Sequence, residues 1–356
     1  MSRSIYGVVL AGGSGTRFWP ASRAHLPKQF LRITGRQTML EQTLERVSSV
    51  VPADQSWVVV GRQHEAVTRQ LLEGKPAHVL VEPFGRNTAA CIGLAAIELR
   101  RRDPEALLIV LPADQYIADV AGFCRQLVSA AEVARRGSIV TLGVVPTRPE
   151  TGYGYLQTGT AVAGEVEGAP YALVERFVEK PDQETALSYL VAGNFLWNSG
   201  IFLFTASTIL AEIALHLPEL AAGLARIETE GEGVLEEVYA GLPSISIDHG
   251  IMEKTSRPCH VFRLEVGWSD VGSWESLYEL RSGEGDSAGN LLIGEGRLLV
   301  EEASGNLVQA GPGRTIALLG VEGLAIVETD DVLLVADLRR SQEVKRFVVR
   351  RDHDLA

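Results

Sequence analysis

Three groups of residues in this sequence carry types and spacings that could do chemistry. The first lies near the N-terminus. An apolar run, Ile5 to Leu10, breaks into Gly12, Gly13, Ser14 and Gly15, and then sets down Arg17, Arg23 and Lys28. Glycines let main-chain N–H groups approach an anion closely, and cationic side chains neutralise what those amides hold. The natural guest is a polyphosphate. The second group is a pair of aspartates. Asp114 follows the buried-looking run Ala106 to Leu111, and Asp270 sits in a glycine-bracketed turn between Gly267 and Gly272. A carboxylate at the end of a buried strand is costly unless it is paired or bound to a metal. Mg²⁺ on a nucleotide is usually held by one or two carboxylates with phosphate oxygens and water. A helix cap or turn role is equally open for both residues at this level. The third group is Glu179-Lys180-Pro181. Its usual meaning is a solvated ion pair, but a carboxylate can accept from two adjacent hydroxyls and a lysine can act as a point charge on phosphate.

Two familiar phosphate loops do not match. No Gly-Lys-Ser/Thr follows the glycines, which excludes the P-loop. Phe18 stands where the third glycine of the dinucleotide fingerprint belongs, and no acidic residue occurs before Glu41. The seven histidines show no metal spacing, and no Ser–His or Cys–His arrangement is visible.

The charge distribution supports the anion reading. The chain of 356 residues carries a net charge of −12, yet residues 1–40 hold six Lys or Arg and no Asp or Glu. An acidic protein that binds an acidic ligand must concentrate its positive charge, and this one does so at the glycine loop. The overall charge argues against broad nucleic-acid binding. No apolar run reaches the roughly 18 residues of a membrane helix, and the N-terminus does not read as a signal peptide. Cys91, Cys124 and Cys259 form no C-x-x-C, which suits a reducing cytoplasm and argues against a disulfide framework or a zinc site.

The elements that must position these residues alternate. Strands are expected at Ile5 to Leu10, Trp57 to Gly61, His78 to Val81, Ala106 to Leu111 and Ser138 to Val145. Helices are expected at Thr38 onward, where Thr38 and Glu41 read as a capping box, and at His64 to Leu72, Ala89 to Arg101 and Val120 to Arg135. This alternation predicts an α/β sheet, mostly parallel, with ligands at the carboxyl ends of its strands. The glycine loop, the Glu82–Thr88 loop and Asp114 all lie at such ends. The middle is less regular: a glycine-aromatic segment, Thr151 to Tyr155, then a strand from Tyr171 to Val178 and strand-like Ile201 to Phe204. From Ser207 to about Tyr239 the pattern is helical, and Pro258 to Val266 reads as a strand. From about Gly283, short apolar runs with polar turns predict a small all-β appendage, with a final helical pattern at Ser341 to Val349. A few turns of β-helix would fit it, although no strict period is seen. The division expected is 1–283 for a catalytic domain and 284–356 for the β domain.

Seven segments, in order, carry a family resemblance. They are the loop with Trp19-Pro20 and Pro27 to Phe30, Glu82 to Ala89, Pro112 to Asp114, Gly152 to Tyr155, Phe177 to Pro181, Trp197 to Phe202 and Gly267 to Trp274. Together they resemble the sugar-nucleotide pyrophosphorylases, and within them the mannose-1-phosphate guanylyltransferase branch. The resemblance implies a Rossmann-like nucleotide-diphospho-sugar transferase domain. It implies the reaction of GTP with mannose 1-phosphate to give GDP-mannose and pyrophosphate, by in-line attack on the GTP α-phosphorus. It assigns Arg17, Lys28 and Lys180 to catalysis. It assigns Ala11, Gly12, Gly13, Ser14, Gly15, Thr16, Arg17, Lys28, Glu82, Asn87 and Thr88 to the nucleotide. It assigns Gly152, Tyr153, Gly154, Glu179, Lys180 and Asn198 to the sugar, and Asp114 and Asp270 to Mg²⁺ or another divalent cation. Gln115 departs from the histidine that commonly follows the first aspartate. Longer bacterial relatives carry a fused phosphomannose isomerase domain for which 356 residues leave no room, so isomerase activity is not expected. The same chemistry on another NTP or hexose 1-phosphate stays open, as does a silent GDP-mannose-binding regulatory subunit. So does a homodimer, since the β appendage could pack on a second copy.

Overall fold

The computed structural model describes residues 4–13 and 15–348. Ser14 and Val349, both named above, lie outside the described residues. The chain forms two compact units interleaved in sequence. The first contains the chain up to Gly12 with Thr43–Ala113 and Ile117–Trp268; the second contains Gly13–Gln42, Asp114–Tyr116 and the chain from Ser269.

The first unit is built on nine strands: β1 (Ile5–Leu10), β2 (Ser56–Gly61), β3 (His78–Glu82), β4 (Leu107–Pro112), β5 (Ile139–Val144), β6 (Tyr155–Val166), β7 (Ala169–Val178), β8 (Phe195–Thr205) and β9 (Cys259–Leu264). The helices in chain order are α1 (Met39–Val47), α2 (Glu65–Leu71), α3 (Asn87–Arg102), α4 (Val120–Ala134), α5 (Gln183–Ala192), α6 (Ala206–His216), α7 (Pro218–Glu230) and α8 (Leu235–Gly241). Among the described residues the nine strands form one sheet, ordered β3-β2-β1-β4-β8-β5-β9-β7-β6. The expected parallel ladder runs through β3, β2, β1 and β4. Beyond it the sheet is mixed, because β8 inserts antiparallel between β4 and β5. The continuous apolar runs of β4 and β5 are buried along nearly their whole length, as strands covered on both faces must be.

The strand order reverses at β1, so β1 and β4 are the neighbours between which a doubly wound sheet places its ligand. Leu10 lies opposite Pro112 in their register. The ends that lead to the glycine loop and to Asp114 are therefore adjacent. The capping box forms as expected: Glu41 Oε2 accepts from Thr38 N, and Thr38 Oγ1 accepts from Glu41 N. Helix α3 is preceded by Arg86 with no side-chain cap. One strand of this sheet escaped the sequence reading. Tyr155–Val166 contains Gly159 and Gly164 and has exposed residues along much of its outer half, so neither period nor propensity marks it; its pairing with β7 makes it a strand, with several register shifts.

The second unit has its own core. Phe18, Leu31, Ile33 and Met39 pack with Val271, Trp274, Leu277, Leu291, Leu307 and Leu334. Phe18 meets Trp274 edge-on at 4.8 Å, and Trp274 Nε1 donates to Trp19 O at 3.2 Å. Helix α9 (Trp274–Arg281) supplies that tryptophan. Six strands follow: β10 (Leu291–Gly294), β11 (Arg297–Glu301), β12 (Leu307–Ala310), β13 (Thr315–Leu319), β14 (Leu324–Glu328) and β15 (Leu333–Asp337). β10, β12 and β14 stack in parallel, as do β11 and β13, and β15 closes the first stack antiparallel. This is the coil of a short β-helix. A 3₁₀ turn, Leu338–Val344, comes after it.

A buried asparagine ladder ties the coils together. Asn306 Nδ2 donates to Asn290 Oδ1 at 2.8 Å, and Asn306 Oδ1 accepts from Leu324 N at 2.9 Å. Its sequence sign is the Gly-Asn-Leu triplet that recurs at Gly289 and Gly305.

Candidate active site

In the second unit the glycine loop closes tightly on Lys28. Gly15 has φ +60°, and a Cβ built there would lie 2.4 Å from the Lys28 backbone nitrogen. Only glycine combines that conformation with that approach. The loop is also tied by Ser22 Oγ, which donates to Gly15 O at 2.7 Å, and by Gln29 Nε2, which donates to Gly13 O at 3.2 Å. Pro27 precedes a 3₁₀ turn, Lys28–Phe30, whose residues are all buried.

Lys28 is thus a buried cation with a fixed course. Its Nζ lies 3.0 Å from Asp114 Oδ2 and donates to the Asp270 carbonyl oxygen at 2.5 Å. These residues, with Gly15, Thr16, Arg17, Gln115 and Gly272, line an open cavity of about 360 Å³. Neither aspartate caps a helix: Asp119 caps α4 and Ser273 caps α9. Val271, next to Asp270, has φ +46°, a conformation that a β-branched residue adopts only where its surroundings impose it. Arg17 borders the same cavity, and among the described residues its guanidinium makes no ion pair. Arg23 is different. Its guanidinium lies 2.7 Å from Asp331 and 3.3 Å from Thr329 Oγ1, so it ties the loop to the β-helix and does not border the cavity.

The cavity suits an anion with a divalent cation. Two carboxylates offer hard oxygen donors, and the remaining coordination positions of Mg²⁺ fall to phosphate oxygens and water. No cluster of three or more His, Cys, Asp or Glu that could hold a metal exists among the described residues. Asp114 and Asp270 are the two carboxylates that border the cavity.

In the first unit, β3 delivers Glu82 into the interior. Tyr239 OH donates to Glu82 Oε1. Burial pushes the Glu82 carboxyl above its ordinary value, with hydrogen bonds from Tyr239 and Cys91 opposing. A Cβ at Gly12 would lie 4.0 Å from Glu82 Oε2, so the carboxylate sits under the start of the glycine loop. The loop that follows is pinned by Arg86, whose Nε donates to Tyr239 O at 3.1 Å, and by Thr88 Oγ1, which accepts from Ile247 N at 2.8 Å. Asn87 is exposed, with φ +61°. Sequence reading missed Tyr239, which lies in an unremarkable helix.

A second polar cluster gathers around Gly154. A Cβ there would lie 2.6 Å from Glu179 Oε2 and 3.4 Å from the Asn198 Cβ, and Asn198 N donates to Gly154 O at 2.8 Å. Tyr153 stands edge-on to Trp197 at 5.2 Å and to Trp268 at 5.6 Å. Gly152 N donates to Glu150 Oε1 at 3.0 Å. Lys180, φ +48°, pairs with Glu179. Asn198 lies on β8 where its pairing with β5 shifts register, and such an irregularity re-aims a side chain. Phe195, Trp197 and Phe202 are buried core residues. The cluster's unforeseen member is Asp248, whose Oδ1 accepts from Asn198 Nδ2 at 2.8 Å.

Comparisons with known proteins cover nearly the whole chain. A nucleotidyl transferase family model matches residues 6–286, and a MannoseP isomerase/GMP-like beta-helix domain model matches residues 296–351. The xanthan biosynthesis protein XanB of Xanthomonas campestris pv. campestris is 41% identical over 350 residues, covering 96% of this chain and 72% of its own length. The mannose-1-phosphate guanylyltransferase of Escherichia coli is 39% identical over 350 residues, with the same 96% and 72% coverage. A crystal structure from Thermus thermophilus, described as a mannose-1-phosphate geranyltransferase, matches with a TM-score of 0.89 at 39% identity, covering 98% of this chain and 99% of that one. No helix among the described residues is long and apolar enough to cross a membrane.

Proposed function

The chain belongs to the nucleotidyl transferase family, and from that membership we infer that it is a mannose-1-phosphate guanylyltransferase, joining GTP and α-D-mannose 1-phosphate into GDP-mannose and pyrophosphate. The observation that carries this reading is 39% identity to the Escherichia coli mannose-1-phosphate guanylyltransferase across 96% of the chain. The geometry around Lys28 supports it: a buried ammonium, a glycine turn that only glycine permits and two aspartates share one cavity.

The reaction is a displacement at the α-phosphorus of GTP. A sugar-phosphate oxygen attacks, the bond to pyrophosphate breaks, and the electron pair leaves with pyrophosphate. The attacking phosphate is already anionic at neutral pH, so no general base is required. Catalysis then consists of positioning and charge stabilisation. In this proposal the main chain of Ala11 to Thr16, with Arg17 and Lys28, holds the triphosphate and meets the charge that grows on the leaving group. Asn87 and Thr88 present the base-facing loop, and Glu82 supports that loop and Gly12 from beneath. Lys180 aligns the sugar phosphate, Glu179 and Asn198 take sugar hydroxyls, and Gly152, Tyr153 and Gly154 offer main chain. Asp114 and Asp270 would hold a divalent cation, which when bound neutralises phosphate charge.

The test is pyrophosphate release by the purified chain with GTP, mannose 1-phosphate and Mg²⁺, with ATP, UTP and dTTP as competitors. Release with GTP and mannose 1-phosphate is the expected result. Equal rates with dTTP would remove the guanine assignment, and no release with any pair would remove the enzyme reading.

A further inference from the structure

The Asn198 amide is held at both ends. Its Oδ1 accepts from Gly200 N at 3.0 Å, and its Nδ2 donates to Asp248 Oδ1 at 2.8 Å. The reversed amide would set an oxygen against the carboxylate and an NH₂ against the Gly200 N–H, so only one orientation satisfies both partners. An asparagine amide has two N–H donors and two lone pairs. One of each is thereby used, and the directions of the remaining hydrogen and lone pair are fixed.

This matters because Asn198 is in contact range of the glycine that Glu179 crowds, and Lys180 is paired to Glu179. We propose that Asp248 is a positioning residue of the hexose 1-phosphate subsite: it selects the Asn198 amide orientation and thereby which hydroxyl configuration the site accepts. The proposal rests on the sugar-nucleotidyl-transfer reading above and adds to it the residue that orders the sugar half.

Asp248 begins a π-type turn, Asp248–Met252, a form that occurs mostly as single turns and frequently at functional sites. Its carboxyl is pushed up by burial and then by the charge of Glu179, with Asn198 and Lys180 opposing. The Glu179 charge repels that of Asp248, so packing alone would be served better by an uncharged residue. Hydrogen bonding to Asn198 gives the acid something that an apolar residue could not supply.

The experiment compares the wild type with Asp248→Ala and Asp248→Asn, using mannose 1-phosphate and its C2 epimer glucose 1-phosphate with GTP, and checks each variant's melting temperature. The asparagine keeps an acceptor for Asn198 and drops a charge beside Glu179. Asp248→Ala is expected to raise KM for mannose 1-phosphate about tenfold, the effect of about one net hydrogen bond. KM for GTP stays within twofold, and the preference for mannose over glucose narrows. Asp248→Asn recovers most of both losses. A sugar KM within twofold of wild type in the alanine variant overturns the proposal. So does an equal rise in both KM values, or an asparagine variant as poor as the alanine one. If the alanine variant does not fold, Asp248→Ser, whose hydroxyl stops short of the amide, takes its place. A wild type inactive with every hexose 1-phosphate would overturn the enzyme reading itself, whereas an active wild type with unaltered variants would overturn only the role of Asp248.

Discussion

Lys28 Nζ stands 3.0 Å from Asp114 Oδ2, and the lysine side chain is only 7% exposed while the aspartate is 37% exposed. The ion pair therefore has one buried and one wet end. Water can take over the solvation of Asp114 when a phosphate draws on the lysine. Replacing Lys28 by Met keeps most of the buried volume and removes the charge. Turnover is expected to fall on the order of 10²-fold or more, the scale of a lost transition-state donor, with a small change in melting temperature. Steady-state pyrophosphate release checks this, and a rate within twofold of wild type would end the phosphate role of Lys28.

The two aspartates predict a cation requirement. Chelation should abolish pyrophosphate release, and added Mg²⁺ should restore it. Asp114→Asn and Asp270→Asn should each raise the Mg²⁺ concentration needed for half-maximal rate, because each removes one hard anionic donor. Titrations that show the same half-maximal Mg²⁺ in all three proteins would contradict the assignment.

Two glycines predict opposite kinds of damage. In Gly15→Ala the new Cβ meets the Lys28 backbone, and the left-handed conformation adds about 1–2 kcal/mol of strain. Both stability and activity should drop. In Gly154→Ala the new Cβ clashes with the far end of the Glu179 side chain, which can swing away, and meets the Asn198 Cβ at an ordinary 3.4 Å. Stability should then change little while KM for the sugar phosphate rises. Thermal melts paired with kinetics for both variants test the contrast.

Glu82 predicts a stability slope with pH. Its folded value lies above its ordinary 4.5, so between those two values the folded state binds more protons than the unfolded one. Its contribution is fully present below 4.5 and is lost as pH rises through the folded value. Glu82→Gln keeps an acceptor for Tyr239 and cannot ionise. The stability of the variant relative to wild type should rise with pH and then level off. Urea unfolding at several pH values reads this directly, and a pH-independent difference would show that Glu82 does not titrate with the fold.

The asparagine ladder predicts that the β-helix is held by polar as well as apolar contacts. Asn306→Ala strands the Leu324 N–H, while Asn290 Oδ1 keeps the Asn306 backbone N–H as a donor. It should cost about 1–3 kcal/mol, the cost of one stranded buried group. An unfolding midpoint unchanged from wild type would show that water replaces the ladder.

What the sequence determined by itself was local. The Ile5–Leu10 strand, its glycine exit, the capping box of Thr38 and Glu41 and the buried run before Asp114 are all written in short-range period, capping and conformational preference. The family motifs were legible for the same reason, since each is a contiguous segment. The tertiary structure decided which of these groups meet. It joined Lys28 to Asp114 and to the Asp270 carbonyl. It committed Arg23 to Asp331, although the sequence had grouped that arginine with the loop's other cations. It set Tyr239 against Glu82 and Asp248 against Asn198, neither of which any local pattern announces. It paired Tyr155–Val166 as a strand against the weak propensity of its glycines. The physical reason is common to all of these. A hydrogen bond or ion pair between residues distant in sequence depends on chain closure and on what else is packed nearby, and neither is encoded in the residues' own types.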